Sequence, residues 1–207
     1  MTTIAIDVQP QQKFSRTFTE NNKFVNVQHI VSELNKQALF SQHRVLIRSE
    51  NKAYQNTDGA VMADNVSLSR SVVASAKYKL LHGLPSQNDY DYTVHIDDTA
   101  MHAANQQQVE IAGLIEWLHA QEASRIVIGG MPIEECLQTT VIELCMQGGW
   151  EVIVNLSACR GYMPETMIKA VCNMRRAGAK VISDTPEVLH TLFPYSLNAH
   201  GQQSKIA

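Results

Sequence analysis

The stretch from Ser124 to Asn155, SRIVIGGMPIEECLQTTVIELCMQGGWEVIVN, contains the pattern that decides the fold. It starts and ends with strand-like apolar runs, Ser124–Ile128 and Glu151–Asn155. Between them, apolar residues recur with helical spacing at Leu137, Val141, Leu144 and Cys145. The glycine pair Gly148-Gly149 follows, and glycine is typical of the end of a helix. A helix between two nearly continuous apolar strands predicts a right-handed βαβ unit of a parallel sheet.

The same alternation of strand and helix continues along the rest of the chain. Further strand-like runs are Thr3–Val8, Arg44–Ser49, Tyr92–Ile96 and Lys180–Ser183. Helical faces centre on Ile30 and Leu34, on Ile111 and Leu118, and on Met167 and Met174, the last between Pro164 and Gly178. The sequence therefore predicts a three-layer α/β/α fold with a doubly wound, Rossmann-like sheet of six parallel strands. We expect one domain over residues 1–194 and a polar tail over 195–207.

Composition excludes several classes of protein. The 207 residues suit one domain, and 44% apolar with 18% charged residues is ordinary for a globular protein. The net charge of -3 gives no sign of a nucleic-acid or membrane partner. No signal peptide or membrane-length apolar run is present, which favours a cytoplasmic protein.

The cysteines and glycines give no sign of a metal or cofactor. The four cysteines form no CxxC pair, and Gly129-Gly130 lack the remaining glycine of a dinucleotide-binding loop. We predict no cofactor and no metal. Of the four thiols, we expect Cys145, Cys159 and Cys172 to be buried and structural.

The segment 50–91 shows no clear element and is rich in Asn, Ser, Asp and Gly. A connection of that length usually serves function, as a lid, a pocket wall or a subunit contact. The alternative is a meandering loop with a short helix near Ser69–Tyr78. The sequence favours neither over the other.

Ligands of an open parallel sheet collect at the carboxyl ends of its strands, and several polar residues fall there. Asp7 ends the first strand, Asn51 follows the second, His95 ends the third, and Cys136 begins the helix after the fourth. A lone Asp7 would be a satisfied strand-end acid and a lone Cys136 a buried structural thiol. As a pair on adjacent central strands, the carboxylate would accept the thiol proton and the helix N-terminus would stabilise the thiolate.

Two further features affect this pair. Glu134 and Glu135 would raise the pKa of Cys136 if their side chains point inward. His95 is either a wall histidine or an imidazole beside the Asp–Cys pair, with Asp97 and Asp98 directly after it.

The order of these features resembles the isochorismatase-like cysteine hydrolases, which include nicotinamidases, N-carbamoylsarcosine amidases and isochorismatases. The resemblance covers the chain from Ile4 to about Phe193. "AIDVQ" is similar to the family's first strand, with Asp7 and Gln9 as its acid-plus-Gln signature. "RIVIGGMPIEECLQTTVIELCMQGGWEV" is similar to its nucleophile turn, with Cys136 as nucleophile, and "AGAKVISDTPEVL" to its C-terminal third.

The resemblance implies an Asp–Lys–Cys triad, a thioacyl intermediate, and a cis peptide bond at Met131-Pro132. This chain departs from the family pattern in two ways. His95 stands in the lysine position, four residues before Thr99, and Pro132 lacks the N–H that would complete the oxyanion hole.

The resemblance also bears on metal, partners and substrate contacts. "IRSENKAYQNTDG" has no histidine, so the metal site of the nicotinamidase subgroup is not expected. The family often forms dimers or tetramers, which implies a homo-oligomer. We predict Cys136, Asp7 and His95 as catalytic and Gln9, Pro132, Asn51 and Thr99 as substrate contacts in a metal-independent amide hydrolase. The alternative is a non-catalytic relative that binds a small molecule or serves assembly.

Overall fold

In the computed structural model, six strands form one parallel sheet of order β3-β2-β1-β4-β5-β6. The structure describes residues 2–14, 27–50, 76–97 and 104–183. The strands are β1 Thr2–Val8, β2 His43–Glu50, β3 Tyr92–Asp97, β4 Ala123–Gly130, β5 Glu151–Cys159 and β6 Lys180–Ile182. The helices are α1 Val27–Leu39, α2 Ala104–Ala120, α3 Gln138–Gln147 and α4 Pro164–Arg176.

The predicted doubly wound sheet is confirmed, since the chain runs from β1 outward to β3 and then back across β1 to β4, β5 and β6. The reversal places β1 and β4 side by side, with Asp7 in register with Gly129 and Val8 with Gly130. The polar residues that end β1 therefore lie beside the turn that leaves β4. This is the topological switch point at which open α/β sheets bind ligands.

Each face of the sheet carries its own apolar cluster. Helix α1 covers one face with Ile30, Val31 and Leu34. Helices α2, α3 and α4 cover the other, where every second residue of β1 contributes to the core: Ile4, Ile6 and Val8. Full burial of one such side chain contributes about 1.5–3 kcal/mol, so burial on both faces explains why the strands read as continuous apolar runs.

Alternation along β1 has a consequence for its one acid. Because Ile6 and Val8 face α2–α4, Asp7 between them faces α1. It is a buried carboxylate in the middle layer of the protein, so it needs partners from α1 or from the strands beside it.

Part of the long segment 50–91 packs against the α1 face. Leu81 belongs to the α1-side cluster, and a 3₁₀ turn, Gln87–Asp89, leads into Tyr90 and β3. Residues 51–75, with most of the short helix expected near Ser69–Tyr78, lie outside the described residues, as does the tail 195–207. Within the described part of the chain, no helix is long and apolar enough to cross a membrane.

Candidate functional site at the carboxyl ends of β1 and β4

The chain leaves β4 through a glycine that touches β1. Gly130 has a φ of 142°, and a Cβ there would lie 2.0 Å from the carbonyl oxygen of Val8. The next amide, Met131 N, donates to that same oxygen at 3.0 Å, and the Met131-Pro132 peptide bond is cis. Only glycine permits this close approach of the two strand ends.

Cys136 lies in the wide turn that joins β4 to α3. The turn spans Ile133–Leu137 with π-type winding, and Glu135 has φ and ψ of -114° and -114°. The Cys136 side chain is 2% exposed and packs in the α2–α4 cluster. Its Sγ lies 3.9 Å from the Thr140 hydroxyl. The thiol thus lies just before the first residue of α3, Gln138, and packs among apolar side chains.

The carboxylate of Glu134 connects this turn to the start of α4. Its Oε1 accepts hydrogen bonds from Tyr162 N at 2.6 Å, Met163 N at 3.4 Å and Thr166 Oγ1 at 2.7 Å. A helix N-terminus favours a negative charge, because its first N–H groups have no partner within the helix. The start of α4 therefore binds the Glu134 carboxylate, so this side chain is directed toward α4 and not toward the thiol of Cys136.

Asp7 is held by a polar network on the α1 face of the sheet. Arg44 contacts its Oδ2 through Nε at 2.9 Å and Nη2 at 2.7 Å. Tyr90 donates to the same oxygen at 2.9 Å, and Gln37 donates to Oδ1 at 3.3 Å. Arg44 lies near the start of β2, Tyr90 precedes β3 and Gln37 lies near the end of α1, so three separate segments converge on one carboxylate.

The burial and the contacts of Asp7 act on its pKa in opposite directions. Burial raises the pKa of Asp7 above 3.8, while Arg44, Tyr90 and Gln37 lower it, and burial is the larger effect. Burial and the neighbouring carboxylate raise the pKa of Tyr90 as well, so Tyr90 stays a hydrogen-bond donor. A carboxylate of raised pKa accepts a proton more readily than an ordinary aspartate.

A second polar cluster lies just beyond Asp7, around Ser49. Gln9 Nε2 and Lys13 Nζ both donate to Ser49 Oγ, at 2.9 and 2.8 Å. Gln11 Nε2 donates to the carbonyl oxygens of Ser49 and Tyr78 at 3.0 and 2.8 Å. This cluster joins the carboxyl ends of β1 and β2, the edge at which ligands were expected.

His95 lies on the edge strand β3, beside a different set of partners. Its side chain is 43% exposed, and Nδ1 lies 2.8 Å from Glu50 Oε1. Glu50 also lies 3.5 Å from Nε of Arg48, whose guanidinium donates to the Gln87 side chain and the Tyr78 carbonyl. The structure thus places His95 in contact with a carboxylate of β2.

The remaining predicted substrate contacts divide into two kinds. Asn51 and Thr99 lie outside the described residues. Pro132 is placed at the turn, and the next amide, Ile133 N, donates to Arg160 O at 2.9 Å. Neither residue of this pair offers a free N–H, because proline has none and the isoleucine N–H is bonded.

The prediction that the other three cysteines are buried is confirmed only for Cys159. Cys159 is buried and donates to the carbonyl of Asn155, and burial raises its pKa to about 12. Cys145 is half-buried, and burial raises its pKa too. The prediction that Cys172 is buried is wrong, since it is exposed on α4. Its neighbour Val171 is buried in the core.

Arg44, Tyr90 and Gln37 were not predicted from the sequence. A signal for Arg44 was present, because an arginine inside a strand that is covered on both faces requires a carboxylate partner. Tyr90 and Gln37 had no comparable signal, since each reaches Asp7 from a segment remote in sequence.

Solved structures with the same fold include nicotinamidases, pyrazinamidases and an isochorismatase-like hydrolase. A nicotinamidase/pyrazinamidase from Acinetobacter baumanii is 16% identical, covers 88% of this chain and 96% of its own, and has a TM-score of 0.61. An L. infantum protein in complex with nicotinate is 17% identical, with coverages of 88% and 92% and a TM-score of 0.57. A zinc complex of the Pyrococcus horikoshii pyrazinamidase is 16% identical, with coverages of 88% and 99% and a TM-score of 0.54.

These likenesses establish the fold: this chain has the architecture of the isochorismatase-like hydrolases. No protein-family model and no curated protein sequence matches it. In the described part of the chain, no three His, Cys, Asp or Glu side chains lie close enough together to hold a metal ion.

Proposed function

We propose that this protein is an isochorismatase-like cysteine hydrolase that cleaves an amide-type C–N bond of a small molecule. The observation that carries the proposal is the position of Cys136, in the wide turn that leaves β4 beside the strand that bears Asp7. This turn lies at the switch point of the sheet, and the chains of the same fold include nicotinamidases and pyrazinamidases.

The proposed chemistry uses one carboxyl and one thiol. Because Asp7 faces α1 and Cys136 packs on the α2–α4 side, the proposed transfer of the Cys136 proton to Asp7 passes around the carboxyl ends of β1 and β4. The sulfur then attacks the carbonyl carbon of the substrate. The proton passes from Asp7 to the leaving nitrogen as the C–N bond breaks, which leaves a thioester on Cys136. Water, deprotonated by Asp7, hydrolyses that thioester and restores the thiol.

The negative oxygen formed during attack needs hydrogen-bond donors. Pro132 supplies none, and Ile133 N is bonded to Arg160 O, so the N–H of Cys136 is the donor proposed from the turn. His95, in the position of the family's lysine, is proposed to orient or polarise the substrate, and Gln9, Asn51 and Thr99 to contact it. We also propose that the enzyme needs no metal or cofactor, acts in the cytoplasm, and forms a homo-oligomer.

Replacement of the nucleophile tests this proposal directly. Cys136→Ala is expected to abolish turnover of any small amide that the wild type hydrolyses, and to abolish the covalent adduct seen by mass spectrometry after rapid quenching. The adduct is the more specific measurement. Loss of turnover could also follow from weaker substrate binding, whereas a covalent adduct forms only on the nucleophile itself.

The control must remove the one exposed thiol. Cys172 is exposed, so iodoacetamide labelling should be compared in a Cys172→Ser background. There we expect Cys136 to react faster than Cys145 and Cys159. Turnover that survives in Cys136→Ala would refute the hydrolase.

A second function is favoured by the state of the predicted base. The carboxylate of Asp7 is held by Arg44, Tyr90 and Gln37, and Cys136 is 2% exposed. Such an arrangement suits a non-catalytic relative that uses the fold for binding or assembly. Sluggish labelling of Cys136, equal to that of Cys145 and Cys159, would favour this function over hydrolysis.

A further inference from the structure

Two glutamines follow β1 and differ in how completely their amides are bonded. Gln9 and Gln11 are both 0% exposed, and both contact Ser49. In Gln11, Nε2 donates to two carbonyl oxygens, and Oε1 accepts from Ser49 N at 2.9 Å and from Ser49 Oγ at 3.4 Å. Gln11 thus has partners for both ends of its amide, as expected of a structural residue.

Gln9 lacks this balance. Its Nε2 donates to Ser49 Oγ, but its Oε1, among the buried side-chain atoms that the structure describes, has no hydrogen-bond partner. The Ser49 hydroxyl donates to Gln11 Oε1 and accepts from Lys13 Nζ and from Gln9 Nε2. The atom of the Gln9 amide that is left without a partner is the acceptor Oε1.

The backbone of Gln9 is unusual too. Its φ is 45°, in the left-handed region that residues other than glycine rarely adopt. An unbonded buried acceptor and a left-handed backbone each cost free energy, and such costs cluster where function requires them. Gln9 lies two residues after Asp7, at the edge of the sheet where ligands bind.

We infer that Gln9 Oε1 is the acceptor for an N–H group of the substrate. The substrate class is then an amide that keeps at least one N–H, in preference to a tertiary amide or an ester. The inference rests on the proposed function for the identity of the site as a substrate site. It adds the residue that selects the substrate and the chemical group that is selected.

The first test needs no ligand. Methionine matches the length of glutamine without its polar atoms, so Gln9→Met and Gln11→Met form a matched pair. Gln11→Met should lower the melting temperature by roughly 5 °C or more, because several buried partners lose their bonds. Gln9→Met should leave the melting temperature nearly unchanged. The loss of the hydrogen bond to Ser49 destabilises the protein, but the removal of a buried acceptor without a partner offsets that loss. Equal losses in the two variants would overturn the inference.

The second test uses four probes that differ in N–H content: benzamide, N-methylbenzamide, N,N-dimethylbenzamide and methyl benzoate. Dissociation constants would be measured by titration of the Cys136→Ala protein, which cannot turn the probes over. The first two probes should bind on the order of tenfold more tightly than the last two, and Gln9→Met should remove this difference. Binding of all four alike, binding of none, or a difference that survives Gln9→Met would overturn the inference.

Failure of the inference and failure of the proposed function give different results. If wild-type Cys136 forms the thioester but the four probes bind alike, only the assignment of Gln9 is wrong. If the probes are discriminated through Gln9 but no covalent adduct forms on Cys136, the acceptor site stands and hydrolysis is wrong.

Discussion

The surroundings of Asp7 and of Cys136 differ sharply, although both side chains are buried next to the same pair of strands. Asp7 is enclosed by a cation, a phenol and an amide on the α1 face. Cys136 packs in an apolar cluster, and its Sγ lies 3.9 Å from the Thr140 hydroxyl. A buried charge persists only where partners hold it, whereas a neutral thiol is stable among hydrocarbon side chains.

This difference shows what each region contributes to a hydrolase. In the proposed mechanism, the Asp7 region would determine the protonation of the base, and the Cys136 region would determine the geometry of the nucleophile. The two regions meet through Gly130, whose contact with Val8 fixes the turn against β1. Perturbing each region separately shows whether they act as one site.

The largest effect is expected at Arg44. Arg44→Met leaves the Asp7 carboxylate buried without its cation, and loss of one partner of a buried ion pair costs about 3–5 kcal/mol in the free energy of unfolding. Urea denaturation measures this value. The matched control is Arg125→Met, which removes another strand arginine from a carboxylate, here the exposed Glu151. That variant should resemble the wild type, because exposed pairs contribute little. Equal stability of the two variants would mean that Asp7 does not depend on Arg44.

A smaller effect is expected in the pH dependence of stability. Because burial raises the pKa of Asp7 above 3.8, the folded state binds its proton more tightly than the unfolded state. Stability from this group is complete below 3.8 and is lost as the pH rises through the folded-state pKa.

Asp7→Asn has no such titration and serves as the reference. The unfolding free energy of the wild type minus that of Asp7→Asn should therefore fall as the pH rises from acidic to neutral. Urea denaturation over this pH range provides the measurement. A difference that rises with pH would show that Arg44 outweighs burial and holds the pKa of Asp7 low.

The smallest effect is expected at Glu134. Glu134→Ala removes the acceptor for Tyr162 N and Thr166 Oγ1 at the start of α4 and should cost about 1 kcal/mol, the typical value of a helix N-cap. Glu134→Gln keeps an acceptor oxygen and should cost less. Thermal unfolding of both variants measures the difference. If the two changes cost the same, the charge of Glu134 matters and its hydrogen bonds do not.

Much of the fold could be predicted from the sequence because local patterns determine it. The apolar runs gave the six strands, and the expected strand Glu151–Asn155 extends in the structure to Cys159. Pro164 and Gly178 bracket α4 as predicted, since each acts on its own stretch of backbone. The prediction for Cys172 was wrong, because the residue type cysteine does not show which face of an amphipathic helix it occupies.

The candidate site could be predicted only as a set of positions. Asp7, Gln9 and Cys136 were expected at the carboxyl ends of β1 and β4, and the sheet order places those ends side by side. The neighbours of each site residue could not be predicted from the sequence, because side-chain contacts join segments that are far apart in the chain. Arg44 is 37 residues and Tyr90 83 residues from Asp7.

By itself the sequence determined the alternation of strands and helices, the single sheet, and the residues that fall at its carboxyl edge. Hydrophobic periodicity and backbone preference are properties of short stretches of sequence, and they do not depend on which remote segments pack together. Only the tertiary structure decided that Asp7 is clamped by an arginine and a tyrosine, that Glu134 turns toward α4, and that Gln9 keeps an unbonded acceptor. These facts depend on distances and on the burial of polar atoms, which arise when remote segments pack together.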